Sequence, residues 1–107
     1  MNITGDIKWY FGEGDYAQLK FSESATSFSI DIVMVPAIHR KKGIGTILIN
    51  HILVLADSMK KDLFVSARPF GPFSTEKLDR LVGYYSRFGF EITDKGLNTV
   101  YMVRTKR

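Results

Sequence analysis

The sequence predicts a mixed α/β (α+β) domain: a central, mostly antiparallel sheet with one parallel pair of strands and two main helices. Three observations carry this expectation. Two strand-like runs flank the turn Gly12-Glu13-Gly14-Asp15 near the start of the chain. In the middle, a strand-like run over 27–35 gives way to a basic glycine turn, a helical run over 45–60 and a buried-type strand over 63–68; strand, helix and strand in that order require a parallel pair with a right-handed crossover. Finally, a second helix leads into a terminal hairpin.

Taken in order, Ile7 to Phe11 is a short aromatic-rich strand, and Tyr16 to Phe21 returns as its hairpin partner, with Ala17, Leu19 and Phe21 alternating against Tyr16, Gln18 and Lys20. Ser22 to Thr26 forms the next turn. Along 27–35 the period of two puts Phe28, Ile30, Ile32 and Met34 on one face, expected to be core, and Ser29, Asp31, Val33 and Val35 on the other. The helix from Gly45 has a wide apolar arc (Ile44, Leu48, Ile52, Leu55 and Met59, broadened by Ile47, Ile49, Leu53 and Val54) and needs cover on more than one side. Lys60 and Lys61 close it at the negative end of its dipole. After the strand at 63–68, Pro69-Phe70-Gly71-Pro72-Phe73 is a stiff connector that forms either a wall of the site or part of the core. Ser74 or Thr75 caps the second helix, Leu78, Leu81, Val82, Tyr85 and Phe88 form its apolar stripe, and Gly89 ends it. The runs 90–93 and 99–104 then pair across Asp94 to Asn98.

The glycine turn carries the chemistry. The first amides of a helix have no intrahelical acceptor, and the dipole leaves positive charge beside them, so the turn before Gly45 suits a phosphate or diphosphate. Gly43 and Gly45 let the backbone approach an oxyanion, and Arg40, Lys41 and Lys42 add charge. The pattern is neither G-x-x-x-x-G-K-[ST] nor G-x-G-x-x-G, which disfavours nucleoside triphosphates and dinucleotides.

Arg40-Lys41-Lys42-Gly43-Ile44-Gly45 resembles the R/Q-x-x-G-x-G/A signature of the GNAT superfamily of acyl-CoA-dependent N-acyltransferases. Tyr84-Tyr85-Ser86-Arg87-Phe88-Gly89-Phe90-Glu91 resembles that family's second signature, Y-E-K-L-G-F-E, and the two stand in the right order. The resemblance covers 27–104. It implies the GNAT-like acyl-CoA N-acyltransferase fold over 1–107 and acetyl-CoA as co-substrate. The CoA diphosphate would be held at Arg40, Lys41, Lys42, Gly43, Ile44, Gly45 and Thr46, with the strand backbone at Val33 and Val35 beside the thioester arm and the Val35 amide as oxyanion donor. It places Tyr85 where relatives carry the tyrosine that protonates the departing thiolate. Asp31, on the strand bordering the cleft, is the candidate general base; its alternative is a structural pair with Arg68. Two positions depart from the family pattern: Leu78 replaces a common asparagine, and Pro36 comes one residue early. No helical pair separates the first two strands, so the acceptor site is expected to be open, completed by a second copy in a homodimer or suited to a bulky acceptor.

Composition narrows the alternatives. The 107 residues, 45% hydrophobic and 24% charged, fit one ordinary globular domain. With no cysteine, a disulfide framework, a thiolate metal site and a cysteine nucleophile are excluded. His51 has no metal-ligand companions at the right spacing, so no metal is expected. The net charge of +4 is mostly accounted for by the three cations at 40–42, and a nucleic-acid partner is not expected. The start lacks the pattern of a signal peptide, and no apolar run reaches the ~20 residues that span a bilayer, so a cytoplasmic protein with no membrane partner is expected. The reading is an N-acetyltransferase acting on a primary amine of a small molecule or a protein, by direct attack in a ternary complex. The alternative is a catalytically inactive module of the same fold that works through protein or nucleic-acid contacts.

Overall fold

The computed structural model describes residues 3–12, 14–40, 42–69, 71–72 and 74–106. The chain runs β1 (Ile3–Gly12), β2 (Asp15–Glu23), β3 (Ser27–Met34), a 3-10 turn (Ala37–His39), α1 (Ile44–Ser58), β4 (Asp62–Ala67), α2 (Thr75–Ser86), β5 (Glu91–Lys95) and β6 (Val100–Arg104). The six strands form one sheet in the order β1-β2-β3-β4-β6-β5, in which only β3 and β4 run parallel. This is the predicted architecture. The first hairpin is longer than its aromatic runs suggested, since the ladder extends from Gly12↔Asp15 to Ile3↔Glu23.

One face of the sheet is core and the other is bare. Ala17, Leu19, Phe28, Ile30, Leu63, Val65, Ala67, Val100 and Met102 point to the same side, where they bury against Ile44, Leu48, Ile49, Ile52, Leu53 and Ala56 of α1 and Tyr85 of α2. Each such aliphatic side chain taken out of water contributes about 2 kcal/mol. Both helices therefore lie on this face. On the opposite face Phe64, Tyr101, Ile32 and Met34 remain exposed. The wide apolar arc of α1 is covered by the sheet below and α2 beside it, although Val54 and Met59 stay exposed.

The predicted faces of β3 are only half right. The register runs Phe21↔Ile30 and then Lys20↔Ile32, so Asp31 is an extra residue, a β-bulge. A bulge shifts the alternation by one. Phe28 and Ile30 point into the core, but Ile32 and Met34, expected beside them, turn to the bare face; Val33 and Val35 take their places against the core.

Two polar clamps tie the layers together. Lys61, just past α1, donates to the Glu23 carboxylate and to the Ser24 carbonyl at 2.8 Å, fastening the helix end to the β2–β3 turn. Arg104 of β6 is buried; its Nη1 and Nη2 donate to the two carboxylate oxygens of Asp57 at 2.6 and 3.1 Å, and its Nε donates to the Phe88 carbonyl at 2.9 Å. Ser74 caps α2 as expected, its Oγ accepting from the Lys77 amide at 3.4 Å. Gly89 has φ 94, the left-handed conformation needed to leave that helix.

Candidate active site

The parallel pairing of β3 and β4 ends at Ile30↔Val65. Beyond it β3 continues along β2 to Met34, and β4 continues along β6 to Ala67, so the two parallel strands part and leave a notch. A cleft of about 850 Å³ fills it. Its walls come from both sides of the sheet: Ile49, Val65 and Tyr85 from the helix side, Asp31, Ile32 and Ser66 from the bare side. The opening thus passes through the sheet. Along α2 the residues Lys77, Arg80, Leu81 and Tyr84, one helical face by their spacing, make the cleft basic at one end.

At the head of the notch the chain leaves β3, makes the 3-10 turn and enters α1. Gly43 is the N-cap, with φ 77 and no side-chain cap. The first intrahelical bond is Ile47 N–H to the Gly43 carbonyl at 3.1 Å. Among the described residues no protein atom accepts from the amides of Ile44, Gly45 or Thr46. These are the donors an anion needs. Lys42 is exposed, its Nζ 3.4 Å from His39 Nδ1. Arg40 is also exposed, but its Nε donates to the Val35 carbonyl at 3.1 Å, so part of this predicted phosphate ligand braces the strand end instead. Lys41 lies outside the described residues, as do Phe70 and Phe73 of the connector. The His39 ring stacks on Phe11 with centroids 3.7 Å apart and planes 4° from parallel, anchoring the turn to the end of β1. Spacing within the turn offered no sign of this contact with a distant strand.

The two tyrosines of α2 differ in setting. Tyr84 reaches the turn: its hydroxyl lies 2.9 Å from Thr46 Oγ1, joining the two helices at the head of the cleft. Sequence reasoning passed over it in favour of its neighbour. Tyr85 is buried, lines the cleft, and its hydroxyl has no hydrogen-bond partner among the described residues. Burial, and secondarily the neighbouring Tyr84 hydroxyl, pushes the Tyr85 phenol up to about 12, so it holds its proton throughout the physiological range. Asp31, at the bulge, is exposed and also lines the cleft. Its Oδ2 accepts from Ser22 Oγ at 2.7 Å, and among the described ion pairs it has none with Arg68, the pair expected as its structural alternative. Leu78, in place of asparagine, packs against the core.

The glycines of the turn have separate reasons. A side chain at Gly43 would be strained by its φ, at a cost of about 1–2 kcal/mol. At Gly45 a Cβ would meet Tyr84 Oη and Val35 Cγ2 at 3.8 Å and Val33 Cγ1 at 4.0 Å, all ordinary contacts. The protein alone does not require glycine there.

His51 is exposed, and no group of three or more potential metal ligands occurs among the described residues. No described helix is long and apolar enough to cross a membrane.

Among solved structures the chain is similar to an acetyltransferase from Bacillus cereus ATCC 14579 (TM-score 0.75, 15% identity, 97% of this chain and 74% of that one). It is also similar to the anti-CRISPR protein AcrVA5 (0.67, 20% identity, 92% and 97%) and to an aminoglycoside 6'-N-acetyltransferase complexed with coenzyme A (0.67, 13% identity, 95% and 72%). The fold is that of the GNAT acyltransferases. No family model and no curated protein matches the sequence.

Proposed function

We propose that this protein is an acetyl-CoA-dependent N-acetyltransferase acting on a primary amine. The observation that carries the proposal is the row of amides at Ile44, Gly45 and Thr46 that have no acceptor among the described residues, at the head of a cleft that passes through the sheet. A diphosphate suits these amides with Lys42 and the exposed Arg40 beside it; a side-chain-free Gly45 leaves room for the chain that follows. The backbone of Val33, on the β3 segment that has left β4, and of Val35 just past its end flanks the thioester arm. When bound, acetyl-CoA supplies an acyl group on a good thiolate leaving group.

The protein's own contributions follow from placement. The amide at Val35 is the oxyanion donor. Asp31, at the bare-face mouth of the cleft, receives the proton of the incoming ammonium. Tyr85 donates a hydrogen bond to the departing sulfur. Because thiols titrate near about 8.5 and this phenol near about 12, full proton transfer from the ring is uphill, so its role is to stabilise the thiolate while solvent completes protonation. The acceptor approaches from the bare face, where no helix covers Ile32, Met34, Phe64 and Tyr101; this open approach suits an amine on a bulky molecule or a protein.

The test is a thermal-shift titration with acetyl-CoA and CoA, since a ligand bound only by the native state raises stability by RT ln(1 + [L]/Kd). A saturable rise is expected, and no rise at millimolar ligand sinks the proposal. A pair of variants sharpens it. Gly43→Ala is expected to lower stability by about 1–2 kcal/mol with or without ligand. Gly45→Ala is expected to leave stability unchanged or slightly higher, because alanine is the better helix former, while weakening CoA about tenfold through overcrowding. Equal CoA affinity in Gly45→Ala and wild type would remove the turn from the cofactor site.

A further inference from the structure

Lys20 stands at the level where the sheet opens. On β2 it faces the Asp31–Ile32 bulge of β3 on one side and Asp6 of β1 on the other, and it is exposed on the bare face. The last rung between β3 and β4 is Ile30↔Val65, immediately before that bulge. The split, the bulge and this amine thus share one level of the fold. A second cavity, of about 440 Å³, lies beside the cleft and is lined by Lys20, Asp6, Asp31 and Phe21 among others. Asp31 lines both spaces, so they adjoin at this residue. Neighbouring strands are about 4.8 Å apart, and the flexible four-carbon stem of a lysine spans such a step. Lys8 and Lys61 are held in ion pairs, whereas Lys20 has none among the described residues.

We propose that Lys20 is a self-acylation site: the chain transfers the acyl group of its bound thioester to its own Lys20 when no external amine is present. The inference rests on the acyltransferase reading. Lys20 Nζ gives up one proton to Asp31 and attacks the thioester carbonyl; the N–C bond forms, the nitrogen sheds its second proton to solvent, the C–S bond breaks, and CoA leaves as a thiolate that takes a proton from solvent. The product amide carries no charge, so acylation removes one positive charge from the cavity that Asp6 and Asp31 also line. An acylated chain would then favour a cationic acceptor on the bare face.

The experiment incubates the full chain with acetyl-CoA carrying a deuterated acetyl group and follows intact mass, with peptide mapping that counts both heavy acetyl and any light acetyl acquired during expression. One acetyl group per chain is expected, at Lys20, with a half-time independent of protein concentration, suppressed by excess CoA and absent from Lys20→Arg. Label spread over the exposed lysines and indifferent to CoA overturns the inference, as does a Lys20→Arg protein that still takes up one group per chain. A thermal shift on the same samples separates the two levels. If acetyl-CoA gives no shift, the transferase reading falls and this one with it. A clear shift without acetyl at Lys20 overturns Lys20 alone.

Discussion

Replacing Tyr85 with phenylalanine is expected to lower turnover about a hundredfold, the usual cost of deleting one well-placed donor to developing negative charge, while leaving CoA affinity nearly unchanged. The reason lies in what the hydroxyl does in the folded chain. It has no partner among the described residues, so its loss breaks no hydrogen bond among them, and the ring continues to pack edge-on against Phe90 and Tyr84. Tyr84→Phe should behave differently: it removes the contact with Thr46 at the turn and should weaken CoA before it slows chemistry. A thiol-release assay against a panel of amines and peptide lysines reads both parameters. Unchanged turnover in Tyr85→Phe would remove the residue from the mechanism.

The same substitution carries a prediction that needs no acceptor. The Tyr85 phenol is raised from about 10 to about 12 in the folded chain, so between those values the unfolded state has lost a proton that the native state retains. Stability is therefore full below pH 10 and falls as pH climbs towards 12, by at most about 2–3 kcal/mol for a shift of this size. Urea midpoints measured across this range should decline less steeply in Tyr85→Phe than in the native chain. Parallel declines would mean that burial does not hold the phenol neutral.

The largest effect on stability is expected at Arg104. Arg104→Met should cost roughly 3 kcal/mol, the lower end for breaking a buried charged pair, because the Asp57 side chain is 38% exposed and regains some water. Three hydrogen bonds disappear together, and with them the link from β6 to the end of α1 and to the turn after α2. Arg104→Lys keeps the charge but not the planar fork and should fall between. For a chain of this length 3 kcal/mol corresponds to a fall in Tm of more than about 10 °C. Chemical denaturation decides it; a loss under about 0.5 kcal/mol in Arg104→Met would mean that the clamp is ornamental.

Several of these features were legible in the residues alone. The unit of strand, glycine turn, helix and strand follows from local signals: apolar alternation, positive-φ glycines and a Ser74 cap, all acting within a few residues. The second signature singled out Tyr85 by its distance from Gly89. The bulge was invisible for a specific reason. Beyond Asp31 both phases of β3 are apolar, Ile32 and Met34 on one and Val33 and Val35 on the other, so alternation favours neither. Only the ladder to β2, with Lys20 opposite Ile32, decides which phase meets the helices. The partners of Arg40, His39 and Tyr84 were hidden for a related reason, since they depend on where separate elements come to rest.

Local chemistry in the chain settled which segments become strands and helices, where helix amides would be left without acceptors, and which cations stand near them, because each depends on neighbours a few bonds away. The three-dimensional arrangement settled the rest: that both helices cover one face, that β3 and β4 separate after Ile30, and that Asp31 and Lys20 line one cavity beside the opening. Those outcomes depend on strand register, and register is a property of paired strands that no one segment carries.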